Sequence, residues 1–94
     1  MSGHLEDLAR VIQSRRGADP ERSYTAKLLA DPELAQRKIM EEAFEVCLEL
    51  GRSDINADLV ANEAADLVYH LMTGMASVGV EPSTFLAVLE ERRR

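Results

Sequence analysis

The sequence predicts an all-α fold, a small bundle of four to five helices that forms one domain over residues 1–94 and assembles as a dimer or larger. Only four of the 94 residues are aromatic and none is Trp. The core must therefore come from Ala, Val, Leu, Ile and Met, a set that favours helices over sheets. Three Pro and five Gly are too few for a protein of many short strands and turns.

The first third of the chain contains two segments with helical signals. Apolar residues recur at helical spacing from His4 to Arg16, and basic residues followed by Gly17 are typical of a helix C-terminus. Asp19 followed by Pro20 is a typical helix start, with a capping side chain and a proline at the first helical position. We therefore predict a first helix over 4–16 and a turn or short helix that follows Pro20.

Two long helices are predicted next. Asp31 and Pro32 repeat the start signal and open a helix that runs to Gly51. Ser53 or Asp54 is then predicted to cap a second long helix. A connection this short makes the two helices antiparallel neighbours.

The second long helix is predicted to reach about Val78, and Pro82 opens a last short helix. From Leu67 to Val80 there is no formally charged residue. A chain of this size cannot cover so much apolar helix surface internally, so we expect this stretch to lie largely at a subunit interface.

The charge of the chain is concentrated in one central block. The net charge is −6, and residues 41–66 hold eight acids and one base. Such a block repels nucleic-acid phosphates. No stretch approaches the roughly 18–20 apolar residues of a membrane span, and the start of the chain lacks an apolar signal core. These observations predict a cytoplasmic protein without nucleic-acid or membrane partners.

Two pairs of acids share the spacing i, i+3 on the two long helices. Glu42 and Glu45 form the first pair, and Glu63 and Asp66 form the second. Each pair projects from one helix face, and antiparallel packing can bring the pairs together. Four carboxylates without basic partners repel each other unless a hard cation such as Mg²⁺ or Mn²⁺ binds among them. The alternative is an ordinary solvated helix face.

Three blocks of the sequence resemble one enzyme family. They read R-R-G-A-D-P-E-R-S-Y-T-A-K-L over 15–28, K-I-M-E-E-A-F-E over 38–45 and E-A-A-D-L-V-Y-H over 63–70. In this order and spacing they resemble phosphoribosyl-ATP pyrophosphohydrolase, within the all-α NTP pyrophosphatase (MazG-like) superfamily. The paired acids alone indicate only the superfamily, whereas the G-A-D-P-x-x-S-Y-T segment and the final Tyr-His narrow the resemblance to this family.

The resemblance implies Mg²⁺-dependent hydrolysis of phosphoribosyl-ATP to phosphoribosyl-AMP and pyrophosphate, the second step of histidine biosynthesis, with Mn²⁺ as an alternative metal. Two other functions stay open at this point. One is a house-cleaning nucleotide pyrophosphatase of the same superfamily, acting on dUTP, dCTP or modified NTPs. The other is a non-catalytic helical interaction module whose acidic surface serves solubility or a basic partner.

The four paired acids are the predicted metal ligands, and the general base is either one of them or Glu41. The catalytic candidates are Glu41, Glu42 and Glu45. Tyr69 and His70 lie one turn after Asp66 and either orient it or play a structural role.

The predicted substrate contacts are basic and hydroxyl side chains, four of which have a structural alternative. Arg16 also suits a helix end, Ser23 and Thr25 also suit helix caps, and Lys38 also suits an ion pair with Glu42. The full predicted set is Arg16, Ser23, Thr25, Lys27 and Lys38.

Overall fold

A computed structural model describes residues 3–93 and confirms the all-α prediction. Within that range the chain forms five helices and no strand. The helices are α1 (His4–Ser14), α2 (Tyr24–Leu29), α3 (Pro32–Leu50), α4 (Ala57–Ser77) and α5 (Thr84–Glu91). None of these helices is long and apolar enough to cross a membrane.

Side-chain caps begin the three central helices. The predicted cap Asp31 is confirmed, since its Oδ1 accepts from the Leu34 N–H across 3.1 Å. The caps predicted for α4, Ser53 and Asp54, are wrong. Asn56 is the cap, and its Oδ1 accepts from the N–H groups of the second and third helical residues at 3.0 and 3.2 Å. The backbone of Asn56 is still extended, which lets its side chain reach both N–H groups.

The Asp19-Pro20 signal forms a turn rather than a helix start. Asp19 Oδ1 accepts from the Glu21 N–H at 2.9 Å, and the Asp19 carbonyl accepts from the Ser23 N–H at 2.9 Å. The helix begins later because Ser23 is the residue whose hydroxyl caps it, accepting from the Ala26 N–H at 3.1 Å. Of the two predicted alternatives, a turn or a helix, the segment after Pro20 is therefore a turn that leads into α2.

The last helix starts two residues after the predicted position. Glu81 accepts from both the N–H and the hydroxyl of Ser83, at 3.0 and 2.6 Å, which folds residues 81–83 into a turn. Pro82 is buried within this turn. The helix therefore begins at Thr84, directly after this turn.

The apolar core lies toward the C-terminal half of α4. Ile12 of α1 and Met72 of α4 are completely buried there, together with Ala9 and Ala76. Close packing of α3 on α4 depends on Gly74, since a Cβ at that position would lie 2.8 Å from Ile39 Cδ1. The N-terminal half of α4, which carries the acidic pair, is left outside this apolar core.

The Leu67–Val80 stretch supplies much of this core. Its residues Met72, Thr73 and Ala76 are completely buried within the chain itself. Leu71, Val78 and Val80 of the same stretch are 37%, 62% and 42% exposed, so the expectation that the stretch lies largely at a subunit interface stays a prediction.

A larger uncovered apolar surface lies on α3. Met40 is 71% exposed, Phe44 64% and Leu48 50%, while the buried residues of α3 are Ala35 and Glu42. The three exposed residues recur every four positions, so they form one stripe along the helix. We call these three residues the α3 stripe.

Candidate metal centre

Three carboxylates from two helices meet at one point of the structure. Glu42 and Glu45 of α3 and Glu63 of α4 each offer an oxygen atom, and these oxygens lie within 4.8 Å of one another. The i, i+3 spacing places the first two on one face of α3, and the antiparallel packing of α4 brings the third against them. We call these three residues the carboxylate cluster.

Two oxygens of the cluster are buried without a partner. Glu42 Oε2 and Glu63 Oε2 have no hydrogen-bond partner in the part of the chain that the structure describes. Glu42 as a whole is only 7% exposed. A buried carboxylate oxygen without a partner is destabilising, typically by a few kcal/mol. This donor set, made only of oxygens, therefore fits a hard divalent cation.

The cluster also shifts the titration of its members. Burial raises the pKa of Glu42, and the nearby charge of Glu45 raises it further. Hydrogen bonding to Glu45, followed by burial, raises the pKa of Glu63 to about 7. In the absence of a cation the cluster therefore retains a proton near neutral pH, which reduces the repulsion among its carboxylates.

Asp66, the fourth predicted ligand, lies beside the cluster rather than in it. Its side chain is exposed and does not belong to the group of three oxygens within 4.8 Å. Its charge nevertheless contributes to the raised pKa values of Glu42 and Glu63. The role of Asp66 as a ligand stays a prediction.

Lys38 forms an ion pair at the edge of the site. Its Nζ lies 2.9 Å from Glu41 Oε2, so its partner is Glu41 and not the Glu42 considered from the sequence. A hydrogen bond from Lys38 lowers the pKa of Glu41, whose side chain is exposed. Glu41 is therefore an ionised carboxylate, and its catalytic role stays a prediction.

His70 is held at both ring nitrogens. Nδ1 lies 2.7 Å from the backbone carbonyl oxygen of Asp66, and Nε2 lies 2.8 Å from the Tyr24 hydroxyl. Since a carbonyl only accepts hydrogen bonds, Nδ1 carries the proton and the Tyr24 hydroxyl donates to Nε2. This pair of contacts fixes the orientation of the buried His70 ring and ties α2 to the turn of α4 that follows Asp66.

A second hydrogen bond runs beside the first. The hydroxyls of Thr25 and Tyr69 are hydrogen-bonded, so the first turn of α2 has two polar contacts with the same turn of α4. Tyr69 and His70 therefore tie α4 to α2, and their role in orienting Asp66 stays a prediction, whereas the hydroxyl of Thr25 has a protein partner.

Tyr24 is the residue of this network that the sequence analysis did not single out. It stands between two hydroxyl residues in the S-Y-T segment. That adjacency was the available signal, but its partner His70 is 46 residues away.

The remaining predicted substrate contacts have different surroundings. Arg16 donates to the backbone carbonyl of Ala76 at 2.9 Å and to the side chain of Gln13. The hydroxyl of Ser23 caps α2. Lys27 is exposed and lines a surface cleft with Tyr24, Arg22 and others. Among the predicted basic contacts, Lys27 is thus open to a ligand, whereas Arg16 is engaged at a helix end.

The fold and the site define a class of protein, an all-α bundle with a carboxylate centre built from two facing helices. The family model for phosphoribosyl-ATP pyrophosphohydrolase matches residues 5–93. The chain belongs to this family, which confirms the family predicted from the three sequence blocks. It is a hydrolase that acts on a diphosphate bond.

Curated relatives from several bacteria carry the name phosphoribosyl-ATP pyrophosphatase. The relative from Cereibacter sphaeroides is 46% identical over 89 residues, which cover 94% of this chain and 84% of the relative. The relative from Caulobacter vibrioides is 44% identical over 88 residues, covering 94% and 80%. The relative from Azospirillum brasilense is 46% identical over 90 residues, covering 94% and 78%. No solved structure gives a significant match.

Proposed function

We propose that this protein hydrolyses phosphoribosyl-ATP to phosphoribosyl-AMP and pyrophosphate in the cytoplasm, as the second step of histidine biosynthesis, with Mg²⁺ as its cofactor. Family membership and the names of the relatives support the substrate. The structural observation that carries the proposal is the pair of buried, unpartnered oxygens of Glu42 and Glu63 at the carboxylate cluster.

The residues proposed to hold the metal are those of the carboxylate cluster, with Asp66 beside them. Their oxygens suit Mg²⁺, and Mn²⁺ accepts the same ligands. Bound there, the cation would offset the negative charge of the polyphosphate and of the departing pyrophosphate. The i, i+3 spacing and the burial of Glu42 preorganise these oxygens, so little rearrangement accompanies binding.

The attacking water needs a carboxylate that faces both the cluster and the solvent. Glu42 is buried, and Glu41 is paired with Lys38. Glu45 belongs to the cluster and has an exposed side chain. We therefore assign to Glu45 the orientation of the attacking water and the acceptance of its proton.

Two lysines are proposed to bind the phosphates of the substrate. Lys38 on α3 is 31% exposed at its side chain, and Lys27 on α2 lines the cleft beside Tyr24. Both can neutralise phosphate oxygens that the cluster itself repels. Ser23 lines the same cleft and Thr25 follows Tyr24 in the chain, and the hydroxyls of both are already bonded to protein.

We also propose that the enzyme is a homodimer in which a second copy covers the α3 stripe. Exposed Met40, Phe44 and Leu48 on one helix face form the kind of apolar surface that monomeric proteins seldom leave in water. On α3 the apolar stripe faces outward and Glu42 faces inward. This arrangement is expected if α4 packs on one side of the helix and a second copy of the chain packs on the other.

The test is a pyrophosphate-release assay with phosphoribosyl-ATP, dUTP and ATP, each with and without Mg²⁺. We expect pyrophosphate to be released from phosphoribosyl-ATP but not from dUTP or ATP, and only when Mg²⁺ is present. Glu42→Gln should remove turnover while the helical circular-dichroism spectrum is unchanged. Asp54→Asn, an equal loss of charge in the loop before α4, should keep turnover.

Other outcomes would favour the rival functions. A preference for dUTP would identify a house-cleaning pyrophosphatase, and no release from any nucleotide would leave the helical interaction module. Release that persists in a metal chelator would contradict the role proposed for the cluster.

A further inference from the structure

Tyr24 combines a fixed hydroxyl with an open ring. Its hydroxyl donates to His70 Nε2 at 2.8 Å, yet the residue is 47% exposed. An aromatic ring that is anchored at its tip and open to solvent loses little conformational freedom when it binds a flat ligand. This combination is what a stacking surface for a base requires.

The ring lies next to the proposed reaction site. Its hydroxyl is bonded to His70, whose Nδ1 lies 2.7 Å from the backbone carbonyl oxygen of Asp66, so Tyr24 reaches the turn of α4 that follows the acidic pair. Tyr24 also lines the surface cleft that contains Arg22 and Lys27. Tyr24 therefore connects the turn of α4 beside the acidic pair with a cleft whose cations suit phosphates.

An aromatic stack already exists at this position. The rings of Tyr24 and Tyr69 are nearly parallel, at 24° and with centroids 6.3 Å apart, and His70 meets Tyr24 edge-on at 5.7 Å. A planar base on the open side of Tyr24 would extend this stack.

The other aromatic residues of the chain are poorly placed for this role. Phe85 packs against the apolar core, and the hydroxyl of Tyr69 is bonded to Thr25. Phe44 is two residues from Glu42, which at about 100° per residue puts it on the opposite side of α3. Tyr24 is thus the aromatic residue that is both exposed and beside the cluster.

We propose that the open face of the Tyr24 ring stacks on the purine base of the nucleotide substrate, and that the hydrogen bond to His70 sets the angle of the ring. This inference rests on the proposed function, since it takes a purine nucleotide as the substrate. It assigns Tyr24 to substrate specificity and leaves the bond cleavage to the carboxylate cluster.

The two products of the proposed reaction allow recognition of the base to be measured apart from recognition of the pyrophosphate. Phosphoribosyl-AMP contains the base, whereas pyrophosphate does not. Inhibition constants for both are measured for the wild type, Tyr24→Leu and Tyr24→Phe. The phenylalanine variant keeps the ring and loses only the hydroxyl that bonds to His70.

We expect Tyr24→Leu to weaken inhibition by phosphoribosyl-AMP about ten-fold, the order of magnitude of one base–aromatic stack, and to leave inhibition by pyrophosphate unchanged. Tyr24→Phe should stay within about three-fold of the wild type for both. The inference would be overturned if Tyr24→Leu and Tyr24→Phe weakened inhibition by phosphoribosyl-AMP equally. It would also be overturned if Tyr24→Leu weakened inhibition by pyrophosphate as much as inhibition by phosphoribosyl-AMP. Either result would assign the effect to folding or to the whole site.

A spectroscopic test does not depend on turnover. The chain has no Trp, so Tyr24→Trp supplies a single tryptophan, which can be excited apart from Tyr69, at the proposed contact. Its emission should be quenched by phosphoribosyl-AMP and not by pyrophosphate. Leu89→Trp, at a position of α5 that is 58% exposed, is the control and should respond to neither. Absence of quenching at position 24 while phosphoribosyl-AMP still inhibits that variant would overturn the inference.

Failure of the two proposals gives different results. A wild type that releases no pyrophosphate from phosphoribosyl-ATP contradicts the proposed function. An active wild type in which Tyr24→Leu and Tyr24→Phe behave alike contradicts the stacking role alone.

Discussion

The guanidinium of Arg16 donates a hydrogen bond across 2.9 Å to the backbone carbonyl of Ala76, joining the segment after α1 to the last turn of α4. The last carbonyls of a helix lack partners within the helix, so this contact stabilises the α4 C-terminus. Glu63 lies 13 residues earlier on α4, about 20 Å away at 1.5 Å per residue. In this arrangement Arg16 acts on the fold at a distance from the carboxylate cluster.

Arg16→Ala is therefore expected to act mainly on stability. The free energy of unfolding should fall by about 1–2 kcal/mol, because the variant loses a hydrogen bond from a charged donor. Urea denaturation measures this change, and the KM for phosphoribosyl-ATP should stay near the wild-type value. Arg15→Ala, at the neighbouring exposed position, is the control. A raised KM with unchanged stability would instead support the substrate contact predicted from the sequence.

Mg²⁺ is expected to stabilise the wild type through the carboxylate cluster. At ten to one hundred times its Kd, a ligand that binds only the folded state adds about 1–3 kcal/mol, which raises Tm. Glu63→Gln should lose most of this rise and should be more stable than the wild type in a metal chelator, because one of three repelling carboxylates is gone. Asp54→Asn should behave as the wild type does. An equal Mg²⁺ response in all three proteins would place metal binding elsewhere.

The metal-free protein is expected to become less stable as the pH rises from about 4.5 to about 7. The pKa of Glu63 is raised from 4.5 to about 7, mainly by its hydrogen bond to Glu45, so in this range the folded state binds more protons than the unfolded state. Stability then falls with rising pH, and the contribution of the bound proton is lost above pH 7. Thermal melts in a chelator measure the slope, which should be smaller in Glu63→Gln. A wild-type slope of the opposite sign would show that other groups dominate.

Phe44→Glu is expected to separate the proposed dimer. A charge in the middle of the α3 stripe would be buried without a partner at the interface, which is strongly unfavourable. Light scattering should give about twice the chain mass of 10.4 kDa for the wild type and a single chain for the variant. Leu89→Glu changes a similarly exposed leucine on α5 and should stay dimeric. A wild-type mass of one chain would contradict the dimer.

Local signals in the sequence were enough to predict most of the fold. The cap at Asp31, the order of the helices and the paired acids all depend on residues within one or two turns of each other. The N-terminus of α4 was harder to predict because several capping residues lie close together there. Asn56 caps this helix instead of the predicted Ser53 or Asp54. The choice between them depends on which backbone stays extended, and a short polar run does not encode that clearly.

The sequence by itself determined that the chain is helical, that two helices carry acidic faces, and that these faces suit a divalent cation. The tertiary structure decided which side chains meet: Glu63 joins Glu42 and Glu45 while Asp66 stays beside them, and Tyr24 reaches His70. The physical reason is the separation of the partners along the sequence. Periodicity fixes the face of a helix on which a residue lies, but partners some 20 to 60 residues apart are chosen by how closely the helices pack and by the register in which they pass one another.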